Sequence, residues 1–213
     1  MNRRAPMIAG VAFAVLYATA VLILPAAGGG DPSVLRARAL LLVFAALALG
    51  WLAAVVRDRL TGPPAHLFTI GATLLLAQLC VATWLSAGPA IRPGQVTEGT
   101  AATLADLASL WLPTATIGHI LVAVPILLAA NDDHLPRWIG TAAAVFIVEQ
   151  LIETITIIGP PGSFISPGGP MNVYLGASLT AAFFGALGVA VSRSRPEPTD
   201  IRDEVVSDEP VGE

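Results

Sequence analysis

The chain has 213 residues, of which 55% are hydrophobic and 12% charged, with a mean hydropathy of +0.75. Soluble domains usually carry about 25% charged residues, so a soluble globular fold is excluded and a polytopic membrane protein is expected. The net charge of -4 gives no basic surface for nucleic acid, and the single cysteine, Cys80, excludes an intrachain disulfide framework and a thiolate metal cluster.

Six segments supply the roughly 20 apolar residues that cross about 30 Å of hydrocarbon: residues 7–27, 39–56, 66–86, 110–130, 138–158 and 172–192. The expected fold is therefore all-α, a bundle of six transmembrane helices in contact with the lipid bilayer. The first segment follows "MNRRAP", a basic start that also suits a signal peptide, with "ATA" at 18–20 as its cleavage site. Its apolar run outlasts that of a signal peptide, which favours an uncleaved span. Ala14 and Ala18 here, and Ala177, Ala181 and Gly185 in the sixth span, read as packing faces, because helices in lipid meet through small residues.

After the third span, residues 87–109 form the longest loop. Within it "TAATLADLASLW" sets Leu104, Leu107 and Trp111 on one helical stripe away from Asp106, which predicts a short interfacial helix before Pro113 restarts the chain as the fourth span. The fourth and fifth spans are joined by only "NDDHLPR", so they should be antiparallel neighbours. In that loop Asp132 and Asp133 are expected to be solvated or to cap the fifth span. His134, like His66 at the start of the third span, reads as interfacial. The connection "GPPGSFISPGGPMN" carries no charge and should make an irregular cap over one mouth of the bundle. Beyond Arg195 seven acids face one arginine, and this segment, residues 196–213, reads as a disordered acidic tail that solubilises the chain or docks a protein partner.

Arginines near the span ends set the orientation. Arg3, Arg4, Arg57, Arg59, Arg137, Arg193 and Arg195 share one side, against Arg36, Arg38 and Arg92 on the other, which places both termini in the cytoplasm. Trp84 and Trp111 at outer ends and Trp138 at an inner end read as belt anchors. Arginine as the only basic side chain besides histidine, with abundant Ala, Gly and Pro, suggests a GC-rich bacterial genome and so the bacterial inner membrane.

The candidate site lies in the fifth span, "AAAVFIVEQLIETITIIG". At 100° per residue Glu149, Glu153 and Thr156 share a stripe flanked by Gln150 and Thr154, while Ile147, Leu151, Ile155 and Ile158 form the opposite, lipid-facing arc. With a rise of about 1.5 Å per residue, Glu149, His119, Gln78, Thr19 and Thr180 all come out about 12 to 13 Å below the outer ends. Polar groups from five helices are thus expected in one layer, with Glu149, Glu153, His119, Gln78 and Gln150 as its ligand- or proton-binding members. Carboxylates in hydrocarbon cost about 2.5 to 3.5 kcal/mol each and repel one turn apart. At least one should therefore carry a proton or share one with His119, and the layer could bind or pass a proton, a cation or a small polar molecule. The Glu-x-x-His spacing of bundle metal centres is missing, so neither metal nor cofactor is expected. No nucleophile with a positioned base is visible, which argues against an enzyme. The competing reading is a non-transporting accessory or regulatory subunit whose polar layer only holds helices together.

The stretch "HLPRWIG" at residues 134–140, the early "APMIAGVAF" and the "PGGPMNVYLG" entry to the last span resemble a family of small bacterial six-helix membrane proteins known only as a domain of unknown function. Its sharpest motif is "LPRW", which also suits a helix start: Pro136 in the first turn, Arg137 reaching the headgroups and Trp138 anchoring the interface. The resemblance implies an integral membrane location and six helices, and it brings no activity with it.

Overall fold

The computed structural model describes residues 4–25 and 31–194. The acidic segment 196–213 lies outside the described residues. Helix α1 (Ala5–Ala18) runs on into a π-helical turn, Thr19–Ile23. It is followed by α2 (Pro32–Arg57), α3 (Gly62–Ala87), α4 (Glu98–Ser109), α5 (Trp111–Asn131) and α6 (Arg137–Thr154), which tightens into a 3-10 turn at Ile155–Ile158. A second π-helical turn, Met171–Gly176, opens α7 (Ala177–Arg193). Six of these helical stretches are long and apolar enough to cross a membrane, with α4 and α5 forming one of them. The chain is an all-α, multi-pass membrane protein, and no strand occurs among the described residues.

Local chemistry accounts for the helix starts. Proline occupies the first turn of α1, α2 and α3, where its missing N–H leaves no bond unmade. The Asp31 carboxylate accepts from the Ser33 backbone N–H at 2.7 Å and from its hydroxyl at 2.6 Å, and these bonds hold its pKa below the ordinary carboxylate value. Thr97 caps α4 through the Thr100 N–H. Asp133, at φ 59°, instead pairs with Arg137 at 3.2 Å in the exposed first turn of α6, so neither loop aspartate caps that helix by its side chain. Leu135 of "LPRW" is buried, while Trp138, His66 and His134 are exposed.

The spans form a ring in the order α1, α2, α3, α5, α6, α7, which closes where α7 returns to α1. Because lipid tails are as apolar as leucine, helices in a membrane associate through close packing and hydrogen bonds. The closest crossing is α1 on α7. A Cβ added to Gly10 would stand 2.7 Å from the Phe184 carbonyl oxygen and 2.9 Å from the Gly188 Cα, and one added to Gly188 would stand 2.6 Å from the Pro6 carbonyl oxygen. The expected small-residue stripes do meet here: Gly185 packs on Ala14, and Ala177 and Ala181 are buried. The glycine pair at the point of contact is an addition to them. Gly71 and Gly118 bring α3 onto α5 in the same way, with Gly71 against the Leu121 backbone, whose carbonyl is freed by Pro125 one turn on.

The junction of α6 with α7 is thin by comparison. It is spanned by Phe146 stacked on Phe183, ring centroids 4.4 Å apart, and by hydrogen bonds from the π-helical turn. Of the expected outward arc, Leu151, Ile155 and Ile158 are exposed, whereas Ile147 is half-buried and packs against the core.

Gly188→Val should separate α1 from α7, since no side chain at the clash can move aside. A loss of about 1 to 3 kcal/mol or more is expected, read as a lower melting temperature of the detergent-solubilised protein, whereas Gly50→Ala, with only one side-chain atom at 3.8 Å, should leave it unchanged.

Candidate functional site

The inward stripe of α6 forms the centre of a closed polar network. Gln150 is fully buried, Glu153 is 3% exposed and Glu149 is 7% exposed. The Gln150 amide is the hub: its Nε2 donates to Glu149 Oε2 at 2.6 Å and to Glu153 Oε2 at 3.0 Å, while its Oε1 lies 2.6 Å from His119 Nδ1 on α5. With the amide oxygen accepting, the imidazole must carry its proton on Nδ1. One amide thus fixes both carboxyls and the histidine tautomer.

The turn before α7 supplies the other side. Asn172 Nδ2 donates to Glu153 Oε1 and to Thr156 Oγ1, each at 2.9 Å, and the Thr156 hydroxyl donates to the Glu153 carbonyl at 2.7 Å. Gly176, one turn after Asn172, has the Glu153 carboxylate where its Cβ would be, at 2.6 Å. The wide π-helical turn and this glycine together allow Asn172 to face inward while the backbone lies on the acid. Turns of this kind recur at functional sites. At the edge of the network Thr154 donates to Thr116 Oγ1 at 2.9 Å, which fastens α6 to α5.

Three features define the chemistry. First, among the described residues no cation is hydrogen-bonded to either carboxyl, and the ion pair of Arg137 with Asp133 lies on an exposed turn. Second, Glu149 Oε1 and Asn172 Oδ1 are buried without a hydrogen-bond partner. Third, neither Glu149 nor Glu153 lines the large cavity beneath α4 or the small void beside His119. His119 does line one, a void of about 20 Å³ shared with Tyr17, Trp111 and Thr180, large enough for a single water molecule. Around it His119 packs edge-on to Phe146, at 5.3 Å between centroids, and Tyr17 edge-on to Trp111 at 6.2 Å.

The expected five-helix layer is thus a network of α5, α6 and the entry to α7. Glu149, Glu153, Gln150 and His119 are brought together, and Thr180 borders the void beside His119. Gln78 is not part of it: from α3 its Nε2 donates to the Thr114 carbonyl at 3.0 Å, one and a half turns from His119, and its Oε1 has no partner. Thr19 bonds back to the Val15 carbonyl of its own helix. Equal depth put these groups level, but the rotation of α3 and α1 turns them away. Trp111 is also displaced from its expected role, since its ring lies against Tyr17 inside the bundle, while Trp84 is exposed as an anchor should be. Asn172 and Thr116 escaped the sequence reading. The available signal was a lone asparagine four residues before a glycine at the mouth of an apolar span.

Among the described residues no group of three or more His, Cys, Asp and Glu side chains converges as a metal site. No family model, no curated protein and no solved structure matches the chain.

Gln150→Leu keeps the volume and removes the hub, leaving His119 Nδ1 and one oxygen of each carboxyl without their partner. At about 1 to 3 kcal/mol for each buried group so stranded, the variant should lose several kcal/mol. Its yield of folded, monodisperse protein and its melting temperature should fall well below those of a Leu151→Ala control on the lipid face.

Proposed function

We propose that the carboxyl pair of α6 is an intramembrane proton-binding site. The observation that carries this reading is the shared amide: two acids bridged by one Gln150 nitrogen, with no cation bonded to them. Two uncompensated carboxylates in a low-dielectric interior repel strongly, and a bound proton removes the repulsion. Both acids are buried and the Gly176 backbone lies on the Glu153 carboxyl, which argues against a hydrated cation or a small organic ligand at that point, both of which need room.

The hub also suggests how a proton would be registered. A carboxyl that gains a proton becomes a donor and needs an acceptor. With both carboxyls protonated, the Gln150 amide meets that need by turning over, so that its oxygen accepts from both acids and its nitrogen donates to His119 Nδ1, the imidazole giving up its Nδ1 proton and taking one at Nε2 from a water in the void beside it. Proton uptake at the acids is thereby coupled to the imidazole tautomer. The void that His119 shares with Tyr17, Trp111 and Thr180 offers a stopping place for one water on a route to the outer mouth.

In the cell this would be a bacterial inner-membrane protein with both termini cytoplasmic, related to the six-helix family that its "LPRW" segment resembles. Infrared difference spectroscopy in lipid tests the central point. The native protein should show the carbonyl band of a protonated carboxyl that fades as pH rises, and Glu149→Gln with Glu153→Gln should remove it; a pH-independent spectrum identical in both would sink the proposal. Proton flux into liposomes carrying an entrapped pH dye then separates a site that passes protons from one that only binds them.

The closure of the network favours one other reading, a non-transporting accessory or regulatory subunit in which these bonds merely fasten α6 to α7. In that case the infrared titration is silent while Gln150→Leu still destabilises, and deletion of residues 196–213 releases a co-purifying protein partner.

A further inference from the structure

Between the outer ends of α2, α3 and α5, beneath α4, lies a cavity of about 490 Å³. Its walls are apolar, among them Leu35, Leu42, Leu85 and the alanines of α4, with Gly168 from the loop before the second π-helical turn and Val173 from that turn. Its size and composition are those of a small-molecule site, in which a few placed polar groups set specificity. The polar groups present are nearly all donors. Arg38 lines the cavity, and its Nε is shut off from solvent without an acceptor; the Trp111 indole Nε1 is buried without one as well. The hydroxyls of Ser86 and Ser109 are engaged with carbonyls of their own helices. No acid lines the cavity, and Arg38 has no hydrogen-bond or ion-pair partner among the described residues.

An unpaired guanidinium beside an apolar void is a costly arrangement unless an anion completes it. Its position sharpens the point. Arg36 and Arg38 both run against the arginine bias that orients the chain, and the neighbouring Arg36 has a structural explanation, since its Nε and Nη2 donate to the Ala90 carbonyl at 3.0 and 2.7 Å and so tie α2 to the end of α3. Arg38 has no such bond. Its head group meets the cavity near the outer interface, where an amphiphile can place a charge at the guanidinium and a chain among the leucines.

We propose that this cavity binds an anionic amphiphile, a single carboxylate or phosphate on an apolar body, with Arg38 pairing the anion, Trp111 adding a hydrogen bond and α4 covering the chain. The roof is suited to admitting such a guest, since no residue of α4 is fully buried and it packs only lightly on α3 and α5. The site is separate from the carboxyl network: Trp111 borders both the cavity and the His119 void, with Tyr17 against it on the inner side.

The test uses delipidated full-length protein in detergent, titrated with palmitate, methyl palmitate or a short-chain phosphatidylglycerol and read by native mass spectrometry. One saturable equivalent of palmitate or of the phospholipid is expected, with methyl palmitate much weaker. Saturation by palmitate assigns the guest to free fatty-acid-like anions, and saturation by the phospholipid alone assigns it to the bilayer. Arg38→Gln should weaken binding about tenfold or more, as the loss of a charged hydrogen bond does, and Ala108→Phe should abolish it by filling the void while keeping the charge. Absence of saturable binding by either anion, equal binding of the methyl ester, or native-like affinity in both variants would overturn the proposal. Should Arg38→Gln fail to elute as a folded species, the ester comparison and Ala108→Phe decide the matter between them.

Discussion

The ring of six spans depends on how it is closed at α6 and α7. Where α1 meets α7 and α3 meets α5, glycine lets backbone meet backbone, as at Gly10 with Gly188 and Gly71 with Leu121. At the α6 and α7 junction the contact is sparse, and the structure relies on a stacked pair of phenyl rings and on Asn172 bonding to Glu153. A polar bond is a reasonable fastener in hydrocarbon, where there is no hydrophobic gain from hiding one apolar helix against another. It also brings a carboxyl to a place that solvation cannot reach. A buried acid at that junction is under an energetic tension that its partners must offset.

That tension gives the network its chemical interest. A structural clamp would need only neutral amides and hydroxyls, such as the Thr154 to Thr116 bond one turn away. Here two acids are held on one amide, and the amide is held by an imidazole with two usable nitrogens. Every member can change between donor and acceptor without leaving its place. A network of that kind can exist in two hydrogen-bonding patterns that differ in the protonation of its acids.

The half of the molecule beneath α4 solves a different problem. The small side chains of α4 leave space that the loop before α7 covers without filling, and Arg38 stands at its wall. Trp111 divides this space from the void at His119, so the two polar regions share a partition while differing in character. One is dense and closed, with more acceptors than cations. The other is roomy, with donors and no acid.

Much of the architecture follows from the sequence alone, because apolar runs of about 20 residues must be membrane helices when every backbone group has to be satisfied within its own segment. The inward stripe of Glu149 and Glu153 flanked by Gln150, and the closeness of His119 across a short loop, follow from helical period and connection length, both local quantities, but the expected His119 to Glu149 contact is replaced by one from His119 to Gln150. Tertiary structure decided the remainder. Whether Gln78 and Thr19 join the layer depends on the rotation of α3 and α1 about their axes, which apolar residues on every side of those helices leave undetermined. Whether Trp111 faces lipid or Tyr17 depends on the angle at which α4 meets α5. The inward aim of Asn172 needs an extra-wide turn that no period predicts, and the cavity at Arg38 is a space between several segments distant in the chain, set by the distances among them and by no one stretch of chain.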